Sequence, residues 1–176
     1  IHSKISEALG ENKAPWVLIG GPPCQAYSLA GRARNAGSKG YVAEEDGRHF
    51  LYKEYLDIIK KFTPTVFVME NVKGILSSSP TGVPIFDHIL GDLKNPDKGT
   101  LKYNVFSLSN APRSNDLFGP VFRSKDFIIK AEEYGVPQAR HRVILFGVRS
   151  DVSVDHAQIL LTKAPEVSVE QVLNEM

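Results

Sequence analysis

The chain has 176 residues, a formal net charge of +1 and an ordinary share of apolar and charged residues, which is one domain's worth of globular protein. Near-neutral balance excludes a global basic field, so any contact with nucleic acid must come from local charge. The single cysteine, Cys24, excludes an internal disulfide; no apolar run reaches membrane-span length and no signal-peptide pattern is visible. The first predicted element is a short helix over Ile5–Leu9, stopped by Gly10. Pro15–Gly21, with the apolar run Trp16-Val17-Leu18-Ile19, reads as a buried strand. Gln25 to Gly47 is a glycine-punctuated loop, and Phe50–Phe62 carries apolar residues at helical spacing, ended by Thr63-Pro64. A second buried strand spans Thr65–Met69, a helix Pro84–Leu93 and a turn Asn95–Gly99. Strands follow at Leu101–Leu108, Asp126–Ala131 and Val143–Val148. Strands alternating with helices predict an α/β domain with a parallel sheet, and the pair around Gly135 adds an antiparallel edge.

Cys24 stands in Gly20-Gly21-Pro22-Pro23-Cys24-Gln25-Ala26-Tyr27-Ser28, where the first strand runs out into a loop. A lone cysteine is ordinarily a small buried hydrophobe. This one differs because ligands in open α/β sheets gather at the carboxyl ends of strands, and two prolines stiffen the backbone before it. Glu70-Asn71-Val72 follows the second strand, and Tyr134-Gly135-Val136-Pro137-Gln138-Ala139-Arg140-His141-Arg142 precedes the last.

The three segments, in this order, resemble the motifs of the DNA (cytosine-5)-methyltransferase family: Pro-Cys-Gln with an aromatic residue and serine, Glu-Asn-Val, and Gln-x-Arg-x-Arg. Tyr27 stands where the family usually has phenylalanine. The resemblance covers most of residues 16 to 149 and implies a partial Rossmann-like sheet of the S-adenosylmethionine-dependent methyltransferases, a three-layer αβα fold. It further implies methyl transfer from S-adenosylmethionine to carbon 5 of cytosine in duplex DNA. The target carbon is hidden in the stack, so such enzymes flip the base out.

What the resemblance implies for each residue follows from that chemistry. Cytosine carbon 5 is a weak nucleophile; addition of the Cys24 thiolate at carbon 6 makes it enamine-like, which is covalent catalysis. Glu70 holds or donates a proton at ring nitrogen 3, a task suited to a carboxyl partly withdrawn from water. Arg142 stabilises charge developing at oxygen 2. Arg140 is grouped with these catalytic residues and either supports the loop and the Cys24 region or contacts phosphate. Asn71 aims Glu70, and Gln138 fixes its loop through backbone contacts. Pro23 and Leu51 match positions lining the cofactor. Gln25, Ser28, Arg32 and Arg34 are the DNA-contacting candidates. Residues 25–50 are read as an active-site loop whose arginines close on phosphates, against the acidic run Glu44-Glu45-Asp46. His141 is structural, and no His/Cys cluster suggests a metal.

Residues 109–125 depart from the family pattern and read as an insertion, equally a functional loop or a surface excursion. No glycine-rich cofactor turn precedes the first strand and no target-recognition region follows, so residues 1–176 are expected to be a single partial catalytic domain, inactive by itself. Expected partners are double-stranded DNA but neither membrane nor metal. The full-length protein is expected to be monomeric and cytoplasmic on bacterial nucleoid DNA, or nuclear in a eukaryote. Other readings are an RNA (tRNA) cytosine-5 methyltransferase, a non-catalytic DNA-binding or regulatory paralogue, and a cysteine hydrolase, for which no histidine sits in a matching motif.

Overall fold

In a computed structural model the described residues are 1–11, 14–23, 51–79, 82–117 and 119–174. Among them, β1 (Val17–Gly20), β2 (Val66–Val72), β7 (His141–Arg149) and β3 (Tyr103–Phe106) lie side by side in that order. The edge strand β6 (Ile128–Lys130) also pairs with β7, beyond the end of β3. Only β1 and β2 pair in parallel; β7 runs antiparallel to β2, β3 and β6. The sheet is therefore mixed, and the antiparallel strand is central rather than the edge expected from the sequence. The cause is the connection: from β6 the chain returns through residues 131–140, too short for the crossover a parallel strand needs.

Register rows show how alternation sorts the side chains. Leu18, Phe67, Gly147 and Val105 form one row across the sheet, and Ile19, Val68, Phe146 and Phe106 form the next. Successive residues of a strand face opposite sides, so the two rows belong to opposite faces. The first face carries helices α2 (Tyr52–Phe62) and α3 (Ile85–Lys94), whose buried Tyr55, Leu56, Ile59, Phe86, Ile89 and Leu93 share one core with Phe67 and Val105. Both helices form at 3.6-residue apolar spacing, and the Tyr52 hydroxyl ties them together by donating to Asp92 (2.8 Å). Gly147 is required where it stands, because a Cβ there would overlap the Phe67 ring.

The second face is only partly covered. Phe106 stacks on His156 (centroids 5.4 Å apart), at the start of α4 (His156–Ile159). At the β1 end of this face Val17 and Ile19 are exposed, 53% and 75%. The remaining helices, α1 (His2–Leu9) and α5 (Val169–Asn174), bury no residue. Within the segment 109–125 the described residues form a two-stranded hairpin, β4 (Ser114–Asp116) with β5 (Gly119–Val121). The expected strand over 126–131 is shortened to β6 by a 3-10 turn at Ser124–Phe127.

Candidate active site

The last three residues of β2 divide their side chains between the two faces of the sheet. Glu70 shares the open face with Val68, and Val72 follows it there, while Asn71 points into the core side and is 2% exposed. On β7, Ile144 lies opposite Glu70 and Arg142 opposite Val72, so Arg142 is the diagonal neighbour of Glu70. The pair closes with Arg142 Nε 2.8 Å from Glu70 Oε1. A second contact steadies the guanidinium, whose Nη1 donates to the His141 carbonyl (2.8 Å). Glu70 is 46% exposed, a partly buried carboxyl held by a cation.

Asn71 does something other than aim Glu70. Its Nδ2 donates to the Pro22 carbonyl (3.2 Å), and its Oδ1 accepts from the Val72 N–H (2.9 Å). It therefore anchors the backbone two residues before Cys24 to the end of β2. Gly21 fits the same junction: a Cβ there would sit 3.1 Å from Glu70 Oε2 and 3.3 Å from the Glu70 carbonyl. Gly20 is similarly fixed, since a Cβ would come 2.8 Å from the Tyr55 ring. The Tyr55 hydroxyl in turn lies within hydrogen-bond reach of the Val68 carbonyl (3.0 Å) and the Leu18 carbonyl (3.3 Å). Burial pushes the Tyr55 phenol well above its ordinary pKa, with Tyr103 adding to the shift, so this hydroxyl stays protonated. Sequence reasoning missed Gly21 and Tyr55 as site supports; the Gly-Gly pair was the available signal.

Cys24, Gln25, Ser28, Arg32 and Arg34, with the rest of the 25–50 loop, lie outside the described residues. Pro23 is exposed at the end of the strand exit, and Leu51 is half-buried at the start of α2. The two residues flank the undescribed segment in sequence. Arg140 is exposed; its carbonyl accepts from Ala131 N–H (2.9 Å), and no described ion pair joins its side chain to Glu70. Gln138 is also exposed, with its N–H donating to the Val136 carbonyl (2.7 Å). The loop they share turns at Gly135, whose φ of +75° belongs to the left-handed region that favours glycine. His141 pairs with Glu132 (2.7 Å), away from the Glu70–Arg142 pair. Among the described residues no group of His, Cys, Asp or Glu is arranged to hold a metal.

The model of the C-5 cytosine-specific DNA methylase family matches residues 3–176. This chain belongs to that family. Its relatives include the type II methyltransferase M.Bpa9945I of Bacillus paralicheniformis, 37% identical over 80% of this chain and 26% of the relative. M.BspRI of Lysinibacillus sphaericus is 28% identical over 100% of this chain and 35% of the relative. The chain thus spans about a quarter to a third of the length of these two curated methyltransferases. A crystal structure of an E. coli prophage protein, described as a DNA modification methyltransferase, superposes with a TM-score of 0.57 at 21% identity. That match covers 97% of this chain and 38% of the other, and it shows the fold: a partial Rossmann-like methyltransferase sheet. Family membership implies a methyl donor.

Proposed function

We propose that the protein carrying this chain transfers a methyl group to carbon 5 of cytosine in duplex DNA, through a covalent adduct with Cys24 on a flipped base. The observation that carries the reading is the junction at the end of β2. There Asn71 holds the Pro22 carbonyl at 3.2 Å on one face, and Glu70 meets Arg142 at 2.8 Å on the other. A cysteine two residues beyond Pro22, a carboxylate and a guanidinium are the three groups this addition chemistry requires.

The Cys24 thiolate forms a bond to carbon 6, and the displaced ring electrons move toward nitrogen 3 and oxygen 2. Glu70 delivers or holds the proton at nitrogen 3. Arg142, already held beside Glu70, stabilises charge at oxygen 2. S-adenosylmethionine, when bound, supplies the methyl group that carbon 5 accepts, with Pro23 and Leu51 forming part of its wall. Loss of the carbon-5 proton then lets the Cys24–carbon 6 bond break, returning the thiolate. Gln25, Ser28, Arg32 and Arg34 contact the DNA, and Arg140 and Gln138 support the loop that presents Arg142. The relatives' type II names support a place in restriction-modification, in the bacterial cytoplasm.

The test is incorporation of labelled methyl groups into unmethylated DNA of mixed sequence by the full-length protein. Cys24→Ser should abolish incorporation, because a hydroxyl is far less ionised than a thiol at neutral pH. Incorporation by the variant at the wild-type rate would exclude the mechanism.

A further inference from the structure

Gly20 ends β1 and Gly21 follows it, and the two lack a side chain for different reasons. A Cβ on Gly20 would come 2.8 Å from the Tyr55 ring, on the core side. A Cβ on Gly21 would come 3.1 Å from Glu70 Oε2 and 3.3 Å from the Glu70 carbonyl oxygen. Neither glycine has a φ in the left-handed region, so alanine could follow the same backbone. Close approach alone excludes a side chain, and at Gly21 the neighbour is the carboxylate assigned to the proton at nitrogen 3.

The frame around Gly21 has little room to yield. On its own strand exit the next carbonyl, that of Pro22, accepts from the buried Asn71 Nδ2 (3.2 Å). Across from it, the Glu70 carbonyl belongs to β2, which is in register with β7 from Val66 to Val72. Moving either backbone would break the Asn71 anchor or disturb that ladder. The free end of the Glu70 side chain is the softer member. Its other oxygen, Oε1, lies 2.8 Å from Arg142 Nε, and the His141 carbonyl holds that guanidinium in turn (2.8 Å). Contact on Oε2 and an ion pair on Oε1 together define one position for the carboxyl. Gly21 precedes Cys24 by three residues on the anchored backbone, so the position is set relative to the chain that carries the thiol.

Resting on the proposed function, we infer that Gly21 is a positioning residue for the reaction. Its bare Cα seats the Glu70 carboxylate between the strand exit leading to Cys24 and the Arg142 guanidinium. Gly21 acts through Glu70 and fixes the spacing between the proton carrier and the backbone of the nucleophile. A methyl group there would turn the carboxylate on its ion pair, and misplacement on the scale of about 1 Å costs up to about a hundred-fold in rate.

The experiment is a double-mutant cycle in the full-length protein between Gly21→Ala and Glu70→Asp, whose shorter side chain withdraws the carboxylate from Gly21. Single-turnover methylation is measured at saturating duplex DNA and S-adenosylmethionine, with DNA affinity and melting temperature recorded alongside. Gly21→Ala should slow the saturated rate about ten- to a hundred-fold and leave DNA affinity within about two-fold. Added to Glu70→Asp, the same substitution should cost less than about three-fold, because the group it displaces has already withdrawn. Gly20→Ala, which presses on Tyr55 instead, should combine with Glu70→Asp without coupling. If Gly21→Ala is poorly folded, the rescue is read in melting temperature, and the double variant should melt above Gly21→Ala. A nitrogen-15 NMR signal of Arg142 Nε–H should move in Gly21→Ala and stay in place in Gly20→Ala. Equal fold losses from Gly21→Ala in both backgrounds, with no rescue in melting temperature, would overturn the inference. So would a loss of DNA affinity with a normal saturated rate, or an Arg142 signal that does not respond. Wild-type protein that never methylates DNA would overturn the proposed function and not the seating of Glu70, which the Arg142 signal reads without turnover.

Discussion

Asn71 joins two elements of the candidate site without facing Glu70 or Arg142. Both ends of its amide are committed to backbone, at Pro22 and Val72, and it is almost completely buried. Asn71→Ala leaves the Pro22 carbonyl unpaired in a buried setting, which should cost about 1–3 kcal/mol of stability. Asn71→Asp keeps the acceptor for Val72 but sets a carboxyl against the Pro22 carbonyl. It should lower turnover while leaving DNA affinity unchanged, since Cys24 rides on the same backbone. Urea denaturation and single-turnover methylation read the two effects; normal turnover in Asn71→Asp would separate this anchor from the chemistry. Glu70→Gln should slow the chemical step by about a hundred- to ten-thousand-fold. A variant that binds DNA poorly but turns over normally once saturated would make Glu70 a binding residue instead.

At the scale of elements, β7 decides the site, because it brings Arg142 to Glu70. Its centre is fixed by Gly147 against Phe67, a residue wholly buried between the Tyr55 and Tyr103 rings. Gly147→Ala should destabilise the fold by about 1–3 kcal/mol through overpacking. Phe67→Leu in the same chain should recover part of that loss. Urea midpoints of the two single variants and the double test this, and strictly additive losses would contradict it. The turn that feeds β7 carries Glu133, whose carboxyl sits at about 2, below its ordinary 4.5, because Lys130 and then Lys163 hydrogen-bond to the charged form. A lowered carboxyl supports the fold above its ordinary pKa and loses that support as pH falls through its folded value. The attachment of the 163–164 segment at Tyr134 and Glu133 should therefore persist at pH 5 and loosen only as pH approaches about 2. A carbon-13 NMR titration of Glu133 should show that midpoint, rising in Lys130→Gln; an ordinary midpoint would refute the pairing.

The sequence made legible what is local. The β1, β2, β7, α2 and α3 segments were readable because apolar spacing reports burial directly. The direction of β7 was not, since periodicity is the same for a strand running either way. The hairpin β4–β5 escaped because all three residues of β4 are exposed and show no alternation. Glu70 and Arg142 were legible from their motifs, but the partner of Asn71 lies 49 residues away and no local pattern records it.

At the scale of the whole molecule, the sheet has one well-packed face and one face that ends in exposed Val17 and Ile19. The row through Ile19, Val68 and Phe146 makes this an apolar surface rather than an isolated residue. Residues 1–176 expressed by themselves should self-associate through it and bind a hydrophobic dye. Ile19→Lys should suppress both, as read by sedimentation; a monodisperse wild-type segment that binds no dye would contradict the exposure. The same face presents the Glu70–Arg142 pair, so the candidate site and the open surface share one side of the sheet.

The central claim is that Cys24 attacks cytosine. The most direct test is to mix full-length protein, S-adenosylmethionine and mixed-sequence duplex DNA in which cytosine is replaced by 5-fluorocytosine. Fluorine cannot leave as the carbon-5 proton does, so the adduct should persist. The account predicts a protein–DNA species that survives denaturing electrophoresis, maps by mass spectrometry to the Cys24 peptide and is absent in Cys24→Ser. DNA that binds but yields no such species, or an adduct on another residue, would contradict it.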